Sequence, residues 1–412
     1  MKKITFFIII SALTLLGCSS RPRKIVADAA IVAESNAFAF NFFATANAQN
    51  PNDENMVLSP LSLNMALAMI WNGANGETRN AIRSTMGMGN HQEKDVNKFF
   101  KSIRVGFAAT DPNTQLAIAN SIWYRPEFPV KQPFIDLNLQ YYNARVSKLD
   151  FSSPTASQTI NQWCAKNTNG LINNMITPPI NDSLEMILLN ALYFKSIWQK
   201  EFEFDIKDTW KSRDFYKSAS ETIKVPTMFQ HNTLKNYKDE NLQLVTIPYG
   251  NGAFEITFIL PDENKSFEEM LAALQQNGYW NNCLINSNLL DTKIYIPKFK
   301  VRYDTEDKLI PILTEMGMGV AFNDEQADFS GLSDSSTYIG LVKQKTYIDV
   351  NESGTESTAV TAIEKVIEMS DLSFGQKSLI FDADRPFLFV IHETSTNVVL
   401  FMGKINNPQY AE

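Results

Sequence analysis

The chain has 412 residues, 44% of them hydrophobic and 20% charged, with a formal net charge of -8 at neutral pH. That much apolar material supplies a large packed core and excludes an intrinsically disordered chain. The acidic balance excludes the overall positive field that phosphate backbones select, so no nucleic-acid partner is expected.

Lys2 and Lys3 precede an apolar run from Ile4 to Leu16, too short to span a membrane stably, and residues 1–17 read as an export signal. Leu15-Leu16-Gly17-Cys18 resembles the bacterial lipoprotein box, which implies that Cys18 becomes the lipidated first residue. The expected location is outside the cytoplasm, lipid-anchored at a bacterial membrane or cell surface, with simple secretion as the alternative. Residues 18–28 form a tether, whose Arg21, Arg23 and Lys24 read as a short solvated stretch. Processing leaves Cys164 and Cys283, too few for a disulfide framework and expected to be buried and unpaired.

Apolar residues Ile31, Phe38, Phe42 and Phe43 predict a helix from Ala29 to Ala48, broken by Asn50-Pro51-Asn52-Asp53. Ser59-Pro60 opens a second helix, the serine as its cap and the proline at its first position. Gly73-Ala74-Asn75-Gly76 ends it, and Glu77 starts another. Ile118–Tyr124 and Leu188–Phe194 are near-continuously hydrophobic, as strands covered on both faces are. Between them, Ile160, Trp163, Cys164, Leu171 and Met175 predict an amphipathic helix over 157–175. The second half reads as strands at 242–248, 253–261, 293–303, 346–350, 386–392 and 398–405, with helices at 267–276 and 308–316. No linker composition or repeat divides the chain, so 29–412 is expected to be one α+β domain.

Asn55-Met56-Val57-Leu58-Ser59-Pro60-Leu61-Ser62, Gly73–Thr78, Leu189–Trp198, Ile296-Pro297-Lys298-Phe299 and Met316-Gly317 resemble serpin landmarks in serpin order. Val350-Asn351-Glu352-Ser353-Gly354-Thr355-Glu356 is similar to the hinge of the serpin reactive loop. Arg385–Phe389 and Leu400–Lys404 are similar to the terminal strands. The resemblance implies helices packed around three β-sheets, an exposed reactive-centre loop at about 352–384, no catalytic residues, no metal and no cofactor. It implies a monomeric inhibitor that traps serine proteases as covalent complexes, with cysteine proteases as a second class of partner. Membrane association would come through the N-terminal lipid.

The trap requires a loop that leaves solvent after cleavage and enters the main sheet as a new strand. Strand periodicity then points Thr355, Ser357, Ala359, Thr361 and Ile363 inward, none charged, while Glu356 and Glu364 face outward. The hinge set is Glu352, Gly354, Thr355, Glu356, Ser357, Ala359 and Thr361. About ten new backbone hydrogen bonds at roughly 1 kcal/mol each would already rival a whole domain's stability. The resemblance further implies that Ser59, Ser62, Asn190 and Gln344 lie where the sheet opens. Gln344 stands where many relatives have His, which puts one gating hydrogen bond in question. Trp198, Lys298 and Glu352 would lie at the top of the sheet, the latter two as an ion pair.

The resemblance implies a reactive bond about thirteen positions beyond the hinge threonine Thr355, at Glu368-Met369. Counting back from Pro386-Phe387 places it later, so bonds after Lys365, Val366, Ile367, Met369 and Lys377 stay open, and Lys365 falls on the inward parity. No Gly-x-Ser-x-Gly, His-Glu-x-x-His, phosphate-binding glycine loop or paired-cysteine pattern occurs. His91, His231 and His392 stand in no nucleophile context, so catalysis is not expected. The alternative within the same fold is a non-inhibitory binding protein or protease substrate.

Overall fold

The structure, a computed structural model, describes residues 22–51, 55–181, 184–202, 212–355 and 378–410. Helix α1, Ala29–Gln49, begins at Asp28, whose carboxylate accepts from the amides of Ala30 and Ile31. Strand β1 (Asn55–Leu58) leads to α2 (Pro60–Trp71), which is buried along its whole length and capped by Ser59. Next come α3 (Gly76–Thr85), α4 (Glu93–Thr110), β2 (Gln115–Tyr124), α5 (Gln132–Tyr142), β3 (Arg145–Lys148), α6 (Ala156–Asn167) and β4 (Met186–Ile197).

The second half contains β5 (Ser212–Ser218), β6 (Glu221–Lys238), β7 (Leu242–Pro248) and β8 (Phe254–Pro261), then α7 (Phe267–Leu274) and α8 (Tyr279–Ile285). Strands β9 (Asn288–Pro297) and β10 (Phe299–Asp304) precede α9 (Leu309–Leu313). The chain ends with β11 (Leu341–Asn351), β12 (Gly354–Thr355), β13 (Leu379–Asp382), β14 (Phe387–Glu393) and β15 (Val399–Ile405).

Among the described residues the hydrogen bonding makes two sheets. One runs β1-β15-β14-β8-β7-β6-β9-β13 with β5 on β6; the other runs β10-β11-β12-β4-β2-β3. The long β6 pairs with β5 near its start and with β9 and β7 further along, which joins the expected second and third sheets into one ladder. The helices-around-sheets α+β arrangement is the one expected.

Alternation along β4 explains its unbroken hydrophobicity. Met186, Leu188, Leu192 and Phe194 enter the main core with α2, while Ile187, Leu189 and Ala191 face α6, Phe151 and Met175. Two elements expected from periodicity need correction. Helix α6 stops at Asn167 instead of reaching 175, because Asn169 and Gly170 turn left-handed and Thr168 takes over the bonding, donating to Cys164 O and accepting from Ile172 N. The apolar spacing beyond it is real, since Ile172, Met175 and Ile176 are buried, but an irregular segment carries it.

The strand expected over 293–303 is two strands. Pro297 ends β9 in the larger sheet, and β10 begins at Phe299 as the edge of the smaller one. Helices α4 and α5 and the strand pair β5–β6 have no counterpart in the elements read from sequence. Cys164 and Cys283 are buried and unpaired, and burial pushes each thiol up to about 12.

Candidate functional site

The smaller sheet is joined differently along its length. In its lower part β11 and β4 pair directly, Leu341–Thr346 lying beside Ile187–Leu192 in parallel. Above that, the chain leaves β11 at Asn351, turns through Glu352 and Ser353, and returns as β12 between the same two strands. Thr355 pairs with Val350 on one side and Ser196 on the other; Gly354 pairs with Asn351 and Ile197. The expected hinge therefore starts as a two-residue strand inside the sheet.

Two features hold it. Gly354 adopts φ +148°, and a Cβ there would lie 2.1 Å from Ser196 O, so only glycine fits between the strands. Thr355 is fully buried, and its Oγ1 lies 2.6 Å from the Tyr249 hydroxyl. Burial drives the Tyr249 phenol far above its ordinary pKa, so it stays neutral. The Tyr249 ring stacks on Trp198 at 4.6 Å, and Trp198 Nε1 donates to Asn351 O at 2.8 Å.

Around this turn the backbone is pinned from both sides: Trp198 N donates to Ser353 O and Phe202 N to Glu352 O. Lys298 Nζ lies 3.1 Å from Glu352 Oε1, the ion pair expected from the sequence, and Lys300 Nζ lies 3.2 Å from Asp349 Oδ2. Both ammonium groups sit against the Tyr410 ring, at 4.9 and 5.2 Å from its centroid. Burial and the neighbouring Asp349 push the Tyr410 phenol up to about 12. Lys300 N donates to Gln409 O, so the C-terminal segment is strapped over the turn that feeds β12.

At the level where β11 and β4 touch, Ser59, Ser62, Asn190 and Gln344 come together, all buried. Gln344 Oε1 accepts from Ser59 N at 2.9 Å; its Nε2 donates to Ser59 O at 3.0 Å and Asn190 Oδ1 at 2.7 Å. Asn190 Nδ2 donates to Ser62 Oγ and Asn120 Oδ1, and Ser59 Oγ donates to Leu400 O at 2.8 Å. The Gln344 amide thus makes three hydrogen bonds, which tie the start of α2 to the seam between the strands. Thr305 adds three bonds to the Gln344 backbone, two through its hydroxyl and one from its amide.

Glu352, Gly354 and Thr355 are the hinge residues within this site. Glu356, Ser357, Ala359, Thr361, Lys365, Val366, Ile367, Glu368, Met369 and Lys377 lie outside the described residues, as does Cys18. Tyr249, Asn120, Thr305 and Tyr410 belong to the site and were not singled out by sequence. No motif marks them, because each acts through a neighbour brought from far along the chain. His392 is buried in β14, with Nε2 3.0 Å from Thr257 Oγ1 and its ring edge-on to Trp280, away from the hinge. Among the described residues no group of three or more His, Cys, Asp or Glu side chains is gathered to hold a metal ion.

Comparison with known proteins matches residues 33–408 to Serpin (serine protease inhibitor). An uncharacterized serpin-like protein of Methanosarcina acetivorans is 33% identical over 392 residues, covering 94% of this chain and 90% of its own. The crystal structure of the thermophilic serpin tengpin in the native state superposes with a TM-score of 0.83 at 29% identity, covering 94% of this chain and 97% of that one. Thyroxine-binding globulin in complex with thyroxine gives a TM-score of 0.79 at 25% identity, covering 92% of this chain and 100% of that one. A sheet that already admits its hinge, and a match spanning almost every described residue, place this chain in the serpin family.

Proposed function

We propose that the protein inhibits serine proteases as a suicide substrate. The protease attacks a carbonyl in the loop near Glu368-Met369, its serine oxygen forming an ester with that carbonyl as the peptide bond breaks. The freed segment then extends β12 downward between β4 and β11, dragging the acylated protease with it and distorting its catalytic geometry before water can release it. The observation that carries this reading is the bonding of Gly354 and Thr355 to both β4 and β11 while the strands below still pair with each other. Insertion along that path would part the seam under the control of Gln344 and Asn190.

Incubation with trypsin-like, elastase-like and Glu-preferring proteases, followed by denaturing electrophoresis and mass spectrometry of the released C-terminal peptide, tests it. A covalent complex with cleavage after one of residues 365–369 is expected; a single cut only after Lys377 would refute the Glu368-Met369 assignment, and cleavage without a complex would favour the substrate or binding-protein reading. Cys18, after the export signal, is proposed as the lipid attachment point that holds the inhibitor at a bacterial membrane. Incorporation of labelled fatty acid, lost in Cys18→Ser, is the expected result.

A further inference from the structure

Residues 22–28 run as a strap across the C-terminal half of α4. Thr110 Oγ1 donates to Arg23 O at 3.0 Å, Ile25 N donates to Ser395 Oγ at 2.9 Å, and the buried Ile25 side chain packs so closely on Gly106 that a Cβ there would meet it at 2.8 Å. The outer side of this crossing is apolar: Val26 is 88% and Val105 51% exposed, beside a crevice of about 290 Å³ lined by Lys24, Ser102 and Ala109 among others. Arg23 and Lys24 are exposed on the strap itself. Lys94, Lys98 and Lys101 continue the stripe that Val105 belongs to, at helical spacing along α4. Of the acids nearby, Glu93 is paired with Arg79, Asp95 offsets Lys98, and the exposed Asp28 at the end of the strap caps α1, which leaves Arg23, Lys24, Lys94 and Lys101 as the cations of this face. This face is basic on a chain whose net charge is -8.

Four peptide units separate Cys18 from Pro22. Fully extended they reach about 14 Å, so a lipid on Cys18 would hold the surface around Arg23 within that distance of the bilayer. We infer that this face, Arg23, Lys24, Val26 and Val105 with the basic stripe of α4, is the one seated on an anionic lipid surface. The inference rests on the lipid-anchor reading. The valines would enter the boundary between headgroups and acyl chains, and the basic side chains would meet the phosphates. The anchored inhibitor would then have a fixed orientation instead of swinging on its tether.

The test supplies the anchor chemically, so that it stands apart from whether the cell lipidates Cys18. The chain beginning at Cys18 is coupled through that thiol to a maleimide lipid in phosphatidylcholine vesicles with or without phosphatidylglycerol; Cys164 and Cys283 are buried and do not compete. A benzophenone amino acid replaces Val26 or Val105, with Ile285 and Tyr216, exposed on other elements, as reference positions. On irradiation, adducts to labelled phospholipid are expected to form several-fold more at 26 and 105 than at 285 and 216. The excess should grow with phosphatidylglycerol and fall several-fold in Arg23→Glu/Lys24→Glu, whose strap contact uses the Arg23 carbonyl and survives the change. Equal yields at all positions would overturn the inference. So would crosslinking of position 105 to a second copy of the chain without vesicles.

Discussion

At Gly354 a methyl group has no room: the backbone is left-handed and the Ser196 carbonyl lies 2.1 Å from the Cβ position. Gly354→Ala is expected to cost the seated hinge about 1–3 kcal/mol and to raise several-fold the inhibitor consumed per protease, read by stoichiometric titration. Gln344→Ala leaves Ser59 N and Asn190 Oδ1 short of partners in a buried seam and takes one of two donors from Ser59 O, which keeps Leu63 N, with an expected loss of about 3 kcal/mol in denaturant unfolding. His392 behaves differently. Burial, and secondarily Lys235, lowers its pKa from 6.5 to about 3. The unfolded chain therefore binds a proton below about pH 6.5 that the folded one refuses until about pH 3. The stability linked to this residue is fully present above that window and is lost as pH falls through it, so His392→Gln should flatten the acid limb of a stability-against-pH curve. Ser59, Ser62, Asn190, Trp198 and Lys298 were legible because each sits inside a motif several residues long, and Gln344 only through its place in the family resemblance. Tyr249 and Tyr410 were not, because an isolated tyrosine carries no spacing signal and its role depends on partners far along the chain, Trp198 and Thr355 for Tyr249 and Lys298 and Lys300 for Tyr410.

Among the elements, β12 is the smallest and the most consequential, and Thr355 is buried within it. Thr355→Arg would place an unpaired guanidinium beside Tyr249 in the closed sheet. The variant is expected to be cleaved as a substrate without forming a covalent complex on a denaturing gel; retained inhibition would refute the parity. The C-terminal segment is a second control point. Tyr410 covers Lys298 and Lys300, whose partners are the turn residue Glu352 and Asp349 of β11. Tyr410→Ala should loosen that turn, visible as a several-fold change in the rate at which a synthetic peptide matching the loop anneals into the sheet. Periodicity located β4, β7, β8, β14 and β15 well, because packing on both faces or a strict alternation dominates their composition. It failed at α6, where apolar spacing continues into coil, and at Pro297, where a single residue sends adjacent strands into different sheets. It passed over β6, in which Gln230 and Asn236 are buried among hydrophobic neighbours and break the pattern.

For the whole molecule, the expected signature of stored energy is a rise in thermal midpoint after the loop is nicked, measured by calorimetry on intact and cleaved protein; identical curves would leave the trap without a driving force. The order of the serpin-like motifs made the fold legible at this scale, whereas the reactive bond stayed open because loop spacing fixes a window and no packing singles out one residue within it. The seam itself carries a last consequence. Leu341–Thr346 and Ile187–Leu192 run in the same direction, while Gly354–Thr355 runs against both. A longer β12 would exchange one seam of slanted hydrogen bonds for two seams of straight ones, the better-aligned geometry. The intact sheet therefore keeps one of its weaker joints where a new strand would gain most, and chain direction alone favours insertion before any side chain is buried.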